Sequence, residues 1–428
     1  MIYNKKIETL PLEELRKLQN QRLATMLNRV YTKVPFYKHK FDELGIKPSD
    51  IRGVQDLHLL PFTKKTDLRD HYPFGLFTCG VDQLSRVHCS SGTTGKPTVV
   101  GYTKNDLDVF DEVVARSLAC AGATPEMRLH NAYGYGLFTG GLGLHSGATK
   151  MGMTVIPVSG GMTDRQLQLL EDFQSEVICC TPSYAQTIAN ECEKRGIDSS
   201  RFNLKYAILG AEPWTDAIRD EIEQKLNVKA TNIYGLSEII GPGVSQEDFE
   251  EQGTGSYIWE DHFYPEIVDK DTGEPLPYGE EGVLVLTTLT KEAFPVLRYW
   301  TNDICSLSYD NSIKRTHVKM SSIKGRSDDM LIIRGVNLFH TQVEDVMSNI
   351  KELSPNYQLI VSKHNAMDVV EVKVEVVDNS LLNNDDLIKK FSKKIKDNIG
   401  LSMKINLQAI GTIPKSEGGK LNRILDKR

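Results

Sequence analysis

The alternation of short apolar runs with helix-like segments in the middle of the chain constrains the fold more than any other feature. Apolar runs occupy residues 154–158, 177–181, 206–209 and 230–233. Segments with helical periodicity fill the intervals, at residues 164–173, 183–194 and 215–226. Strands that alternate with helices in this way are typical of parallel βαβ units. The sequence therefore predicts an α/β fold whose large domain is built on a parallel sheet.

Three of the predicted strands run directly into polar or glycine-containing loops. These loops cover residues 181–183, 210–213 and 234–238. Parallel α/β sheets bind ligands at the carboxyl ends of their strands. We therefore expect the three loops to face a ligand.

The pattern changes after residue 257. Strands and Gly/Pro turns dominate up to residue 288, which indicates a β-rich subdomain. A charged turn at residues 326–329 then precedes a strand, mixed helical and strand stretches and a lysine-rich end. We place a boundary there and predict a large N-terminal domain at residues 1–325 and a small α+β C-terminal domain at residues 326–428.

A polar loop upstream of this region is a candidate phosphate cradle. It consists of Ser90, Ser91, Gly92, Thr93, Thr94, Gly95 and Lys96, followed by Pro97 and Thr98. Glycines let backbone N–H groups converge on one point, and hydroxyls add donors, which suits a polyphosphate. The loop is not of the Walker A type, because Ser90 stands where that pattern needs glycine and Pro97 follows the lysine. β-branched residues nearby predict that it joins two strands, and the alternative is a flexible surface turn.

Composition and charge exclude several classes of protein. The chain has 428 residues with a net charge of -6, which gives no general attraction for nucleic acid or anionic membranes. No apolar run approaches the ~18 residues of a transmembrane helix, and the first six residues do not lead into a signal-peptide core. Seven cysteines without a C-x-x-C argue against a disulfide framework. We therefore expect a cytoplasmic protein with no nucleic-acid or membrane partner.

Five motifs, taken in order, resemble the motif series of the adenylate-forming enzymes, which include acyl-CoA synthetases, adenylation domains and luciferases. They are the loop at 90–98, then Tyr-Gly-Leu-Ser-Glu at 234–238, Tyr-Trp-Thr-Asn-Asp at 299–303, Gly-Arg-Ser-Asp-Asp at 325–329 and Pro-Lys-Ser-Glu-Gly-Gly-Lys at 414–420. Longer strings at 239–243, 259–263 and 328–337 are similar to the phenylacetate-CoA ligase branch. The resemblance spans almost the whole chain.

The resemblance implies an enzyme that uses ATP, Mg²⁺ and coenzyme A. A carboxylate would attack the α-phosphate of ATP to give acyl-AMP and pyrophosphate, and the CoA thiol would then attack the acyl-AMP. The expected acid is an aryl acid, phenylacetate first. Indoleacetate, benzoate-like and hydroxycinnamate acids stay open, as does transfer to a carrier protein. A nucleotide-binding protein without catalysis is the third possibility. A homodimer is a further expectation from the resemblance.

The resemblance also implies roles for the nucleotide-binding residues. Glu238 would be the Mg²⁺ ligand and a catalytic residue, because Mg²⁺ binds through one or two carboxylates plus phosphates. Tyr234 would offer a flat face to adenine, and Asp303 would accept the ribose hydroxyls. The loop at 90–96 would hold the phosphates, with Gly210, Ala211, Glu212, Gly235 and Ser237 beside the nucleotide. Taken alone, Glu238 would equally suit an exposed loop acid, and Tyr234 would suit core packing.

The small domain is implied to move. Lys420 would stabilise negative charge at the α-phosphate electrostatically, as a catalytic residue. Asp328 matches the hinge about which the family's small domain swivels between the two half-reactions, and Arg326 beside it could meet phosphate or pair with an acid. By composition alone, a lysine in so basic a tail would be solvated.

The acid pocket is implied at residues 135–141, where aromatic side chains alternate with glycines. Tyr135 and Phe138 would line it together with Ala211 and Ile240, because small residues make room and aromatics provide contact. The alternative is a tight turn over the core.

Family members often carry a cysteine cluster that this chain lacks. Only Cys305, His317 and the distant His262 could contribute in the corresponding region, short of the four ligands of a structural zinc. We therefore predict that the protein binds no zinc.

Overall fold

The computed structural model describes residues 1–90, 97–309, 314–327, 331–333, 336–364, 367–413 and 423–427. The chain divides into two compact units. Unit 1 comprises Met1–Ala211 and Glu221–Ser322, and unit 2 comprises Glu212–Asp220 and Ile323–Arg428.

The α-helices are α1 (Lys5–Glu8), α2 (Leu12–Lys33), α3 (Pro35–Leu44), α4 (Lys65–Asp70), α5 (Lys104–Cys120), α6 (Thr139–Met151), α7 (Thr163–Phe173), α8 (Pro182–Arg195), α9 (Asp216–Leu226), α10 (His340–Ser348) and α11 (Asp385–Ile399). The strands of unit 1 are β1 (Arg86–Cys89), β2 (Val99–Tyr102), β3 (Arg128–Asn131), β4 (Thr154–Ile156), β5 (Val177–Cys180), β6 (Tyr206–Gly210), β7 (Lys229–Leu236), β8 (Gly241–Glu247), β9 (Ser256–Ile258), β10 (Phe263–Val268), β11 (Glu281–Thr288), β12 (Tyr299–Ser308) and β13 (Lys319–Met320). Those of unit 2 are β14 (Gly325–Arg326), β15 (Leu331–Ile333), β16 (Val336–Leu338), β17 (Leu353–His364), β18 (Met367–Val376), β19 (Lys404–Gln408) and β20 (Ile424–Asp426).

The main sheet of unit 1 confirms the predicted α/β fold. Its strands lie in the order β10-β11-β12-β13-β9-β8-β7-β6-β5-β3-β4. The strands from β7 to β4 are parallel to one another, and those from β10 to β8 pair antiparallel, which is the predicted β-rich part. The carboxyl ends of β5, β6 and β7 therefore meet at one edge of the sheet.

The fourth predicted strand is longer than expected. The sequence predicts that it ends at residue 233, but β7 continues through Tyr234 to Leu236. Gly235 and Leu236 pair with Pro242 and Gly241 of β8 across a register shift. The sequence predicts a loop for the polar residues 234–236 because their pairing with β8 leaves no apolar pattern in this part of β7.

The strands predicted on either side of the candidate phosphate loop are confirmed. β1 and β2 pair antiparallel, so the loop joins two strands as predicted. Helix α5 begins after Thr103, whose hydroxyl accepts from the backbone N–H of Asp106 while the Asp106 carboxylate accepts from the N–H of Thr103. This reciprocal cap satisfies two donors at the helix start.

Unit 2 is an α+β unit with its own core. Its sheet has the strand order β19-β18-β17-β20, in which β17 and β18 pair antiparallel and the outer strands pair parallel to them. The apolar face of α11, with Leu387, Phe391 and Ile395, packs into that core. Across the described parts of both units, no helix is long and apolar enough to cross a membrane.

Candidate active site

The carboxyl end of β6 is built for close backbone approach. A Cβ on Gly210 would lie 2.1 Å from the carbonyl oxygen of Ile233, so only glycine fits there. Ala211 follows with φ +71°, a left-handed conformation that side chains rarely adopt. The Tyr133 hydroxyl donates to the Gly210 carbonyl at 3.2 Å. The predicted ligand edge therefore has a defined, strained backbone beside β7.

The structure brings Tyr234 and Asp303 together. The Tyr234 hydroxyl donates to Oδ2 of Asp303 at 2.6 Å, from β7 to β12. Burial, and then the negative charge of Asp303, raise the pKa of Tyr234 well above its usual value, so the phenol stays protonated and keeps donating. Asn302, with φ +68°, bends β12 immediately before Asp303. Two predicted nucleotide contacts thus form one hydrogen-bonded pair.

Glu238 lies in the turn after β7, and its carboxyl group is largely buried. Its Oε1 atom lies 3.9 Å from the ammonium of Lys65 in α4, and the side chain is 7% exposed. The Ser237 hydroxyl lies 3.2 Å from that of Thr139 at the start of α6. The residues that the structure describes contain no cluster of three or more His, Cys, Asp or Glu arranged to hold a metal. A single carboxylate suits Mg²⁺ that is held mainly by phosphates and water.

A lysine without a predicted role lies beside Glu238. Lys291 is 2% exposed and donates to the backbone carbonyl of Glu238 at 3.2 Å. Burial lowers the pKa of Lys291 to about 8. Its local sequence is that of an ordinary charged loop, so nothing in the sequence distinguishes it from a solvated lysine.

The base of the candidate phosphate loop is described, and its tip is not. Ser90 and Thr98 close the loop, with the Ser90 N–H donating to the Thr98 carbonyl at 2.9 Å and the Thr98 N–H donating to the Ser90 hydroxyl at 3.3 Å. Ser91, Gly92, Thr93, Thr94, Gly95 and Lys96 lie outside the described residues.

The residues predicted to line the acid pocket differ in their surroundings. The Tyr135 hydroxyl accepts from Asn131 at 2.8 Å and lies 3.1 Å from Nδ1 of His145, and burial raises the pKa of Tyr135 to about 12. Ile240 is buried. Phe138, which precedes α6, is 52% exposed, and Ala211 is exposed as well. The side chains of Tyr135 and Ile240 are therefore held by hydrogen bonds or by burial, whereas those of Phe138 and Ala211 are exposed.

The remaining predicted residues belong to unit 2 or are not described. Arg326 lies in β14, and Glu212 begins the short segment of unit 2 that follows Ala211. Asp328 and Lys420 lie outside the described residues. Four residues contact the site's segments although nothing in the sequence pointed to it, namely Lys65, Tyr102, Tyr133 and Lys291. Their contacts join distant parts of the chain.

The two histidines considered for zinc are engaged elsewhere. Nδ1 of His317 accepts from the backbone N–H of Glu260 at 3.0 Å. Nδ1 of His262 lies 2.7 Å from the Thr290 hydroxyl, and its Nε2 lies 3.1 Å from Oδ2 of Asp261. Among the described residues, neither imidazole belongs to a group of three or more His, Cys, Asp or Glu that could hold a metal.

We expect protein purified without added metal to contain well under one zinc per chain. The reason is the shortage of thiolate and imidazole ligands, since structural zinc needs four. Elemental analysis by mass spectrometry measures this directly. One zinc per chain that resists dialysis against a chelator would contradict the prediction.

Comparison with known proteins identifies the same superfamily as the five motifs. The family model described as AMP-binding enzyme matches residues 17–289, and that of the AMP-binding enzyme C-terminal domain matches residues 335–428. The chain is 59% identical to a phenylacetate-coenzyme A ligase from Thermus thermophilus, with 100% of both chains covered. It is 49% identical to one from Escherichia coli, covering 100% of this chain and 99% of the relative.

The fold is similar to a solved enzyme of the same superfamily. The crystal structure of 2-hydroxyisobutyryl-CoA ligase in the postadenylation state, in complex with R3-HIB-AMP, matches with a TM-score of 0.91 and 25% identity. The match covers 99% of this chain and 92% of that one. The chain therefore belongs to the adenylate-forming AMP-binding enzymes and, within them, to the phenylacetate-coenzyme A ligase family.

Proposed function

We propose that the protein joins phenylacetate to coenzyme A. The carboxylate attacks the α-phosphate of ATP, forming acyl-AMP and releasing pyrophosphate, and the CoA thiol then attacks the acyl carbon and releases AMP. The observation that carries the choice of acid is the identity of 49–59% to four relatives named phenylacetate-coenzyme A ligase, over 99–100% of this chain. The adenylate bound in the structural relative supports the acyl-AMP route.

We assign the ribose of ATP to Asp303. A carboxylate accepts from two neighbouring hydroxyls, and the Tyr234 hydroxyl at 2.6 Å holds the Asp303 side chain in one orientation. The residues proposed to surround the adenine are Gly210, Ala211, Glu212, Tyr234 and Gly235. Gly210 pairs with Ile233 of β7, so the left-handed backbone at Ala211 lies at the same edge of the sheet as Tyr234.

We assign Mg²⁺ to Glu238. Its buried carboxylate makes no close ion pair among the described residues, since the Lys65 ammonium lies 3.9 Å away and that of Lys291 donates to the backbone carbonyl of Glu238. Its oxygens can therefore still accept a cation. The metal supplies neutralisation of phosphate charge when bound. The Ser237 hydroxyl, next to Glu238 in the chain, contacts the hydroxyl of Thr139. The loop from Ser90 to Lys96 is proposed to bind the phosphates.

We propose two domains, at residues 1–325 and 326–428. The C-terminal domain supplies the catalytic lysine, the hinge and a further phosphate contact. Lys420 stabilises charge during adenylation, Asp328 serves as the hinge, and Arg326 meets phosphate. We further propose that the enzyme is a cytoplasmic homodimer. The odd number of cysteines and the absence of a C-x-x-C support a reducing compartment.

We propose that Tyr135, Phe138, Ala211 and Ile240 contact the acyl group. Tyr135 is oriented by Asn131 and His145, so its ring presents a fixed face. The half-exposed ring of Phe138 has room to cover an aromatic acid.

Phe138→Ala is expected to raise the KM for phenylacetate about tenfold, equivalent to about 1.4 kcal/mol of lost contact. The KM for ATP and the melting temperature should change little, because the ring is half exposed and contributes little to the core. The adjacent Leu137→Ala is the matched control, since Leu137 is 63% exposed in the same loop and has no proposed contact with the acid. Equal losses for both substrates, or the same effect in both variants, would contradict the assignment of Phe138.

Thioester formation measured across aryl acids tests the function as a whole. Phenylacetate should give the highest kcat/KM among phenylacetate, indoleacetate, benzoate-like and hydroxycinnamate acids. Pyrophosphate release without thioester formation would favour an adenylating enzyme that passes the acid to a carrier protein. Absence of pyrophosphate release with every acid would indicate a nucleotide-binding protein without catalysis.

A further inference from the structure

Lys291 is a buried cation that connects two parts of the site. Its ammonium donates to the Glu238 carbonyl at 3.2 Å and lies 5.1 Å from the ring centres of both Tyr102 and Phe294. Tyr102 is the last residue of β2, the strand that leaves the candidate phosphate loop. Lys291 therefore contacts the segment that carries Glu238 and the hairpin that carries the phosphate loop.

The segment after β7 is held at Glu238 and Ile240, the residues on either side of Ile239. Lys291 binds the carbonyl of Glu238, and the Tyr102 hydroxyl donates to the carbonyl of Ile240 at 2.8 Å. The two anchors contact each other, because the lysine ammonium lies over the tyrosine ring, a cation–π arrangement. The backbone on both sides of Ile239 is thus fixed relative to the hairpin.

The loop that carries Lys291 is itself rigidly held. The backbone N–H groups of Glu292 and Ala293 both donate to the carboxylate of Asp106, at 2.5 and 2.9 Å. Asp106 also caps α5, so one buried carboxylate joins the helix start to this loop. Lys291 consequently extends from a fixed backbone.

Packing alone does not account for a lysine at this position. Its ammonium makes one hydrogen bond and two aromatic contacts, and the negative charges of Asp106 and Glu238 offset only part of the effect of burial on the pKa of Lys291. A buried ammonium that makes no direct ion pair is unfavourable, and an apolar side chain of similar length would fill the same space at lower cost.

We propose that Lys291 is a positioning residue, which holds Glu238 in register with the phosphate-loop hairpin so that the carboxylate meets the nucleotide's Mg²⁺. The inference rests on the proposed assignment of Mg²⁺ to Glu238. Removing a partner that orients a metal ligand typically lowers the affinity for the metal 10- to 100-fold.

Lys291→Met tests the proposal by binding rather than by turnover. ATP affinity is measured by calorimetry with Mg²⁺ and again with EDTA in place of the metal, and melting is followed by differential scanning fluorimetry. We expect the Mg²⁺-dependent gain in ATP affinity to fall 10- to 100-fold. ATP affinity in EDTA should be unchanged, and the melting temperature should be equal or higher, because a buried charge has been removed. A variant that no longer melts cooperatively would contradict the proposal, since it would make the role of Lys291 structural.

Lys319→Met is the matched control. Lys319 is also 2% exposed and lies 4.8 Å from the ring centre of Tyr257, but its ammonium donates to Glu251 at 2.8 Å. Its loss leaves Glu251 without that ion pair, so the variant should melt earlier and keep the wild-type dependence on Mg²⁺.

Glu238→Gln separates the inference from the proposed function. It should abolish the Mg²⁺-dependent gain in ATP affinity. If Glu238→Gln kept that gain, the assignment of Mg²⁺ to Glu238 would be wrong. If Glu238→Gln lost it while Lys291→Met kept it, the proposed function would stand and the role of Lys291 would be refuted.

Discussion

Lys420→Ala is expected to slow acyl-AMP formation by about 10²- to 10³-fold, by analogy with the removal of one oxyanion-stabilising donor. Lys420 is proposed to stabilise negative charge only while the α-phosphate is attacked. Synthetic phenylacetyl-AMP supplied with CoA should therefore still give thioester at close to the wild-type rate. Pyrophosphate release and thioester formation, assayed separately, measure the two steps.

Asp328→Pro is the contrasting variant. Proline fixes φ near -65° and stiffens the proposed hinge, so thioester formation should slow more than adenylation. Both variants must melt like the wild type for the comparison to hold. Equal loss of both steps in Lys420→Ala, or slower adenylation than thioester formation in Asp328→Pro, would show that the two-conformation mechanism does not apply.

Asp261→Ala is expected to lower the free energy of unfolding by about 3 to 5 kcal/mol, because it removes a buried carboxylate that pairs with both Arg116 and Arg22. Glu112 is then the carboxylate still paired with Arg116. Asp261 is fully buried, and Arg116 donates to its two carboxylate oxygens at 2.8 and 3.3 Å. Burial acts to raise the pKa of Asp261, but the positive charges of His262 and Arg116 outweigh burial and hold the pKa below its usual range. Urea unfolding at neutral pH measures the loss.

The pH dependence has a defined sign. Since the folded pKa lies below the unfolded value of about 3.9, the contribution is fully present above that value and is lost only as the pH falls below it. Wild type and Asp261→Ala should therefore differ most at neutral pH and converge in acid.

Asp164→Ala is the control for this loss. Asp164 pairs with Arg195, but its side chain is 82% exposed, so solvent screens the pair and its removal should change stability little. The double variant Arg116→Met/Asp261→Ala should lose less stability than the sum of the two single variants, because Arg116 and Asp261 pair directly with each other. Additive losses in the double variant would show that the pair is not coupled.

Local sequence determined much of the fold. The apolar runs that became β5 and β6 and the helical segments that became α7 and α8 could be located because their periodicity depends only on neighbouring residues. The cap between Thr103 and Asp106 was predictable for the same reason. The order of five motifs along the chain sufficed to identify the superfamily before any contact was known.

The tertiary structure alone decided which side chains meet. Tyr234 and Asp303 are 69 residues apart, and Arg116 and Asp261 are 145 apart, so no periodic pattern links them. Lys291 looks like a solvated loop lysine in sequence, and its burial follows from the packing of two aromatic rings around a loop held by Asp106. Hydrogen bonds and ion pairs between distant segments depend on the folded positions of both partners. The sequence by itself therefore determined the fold class and the family, and only the tertiary structure decided the buried electrostatics around Glu238.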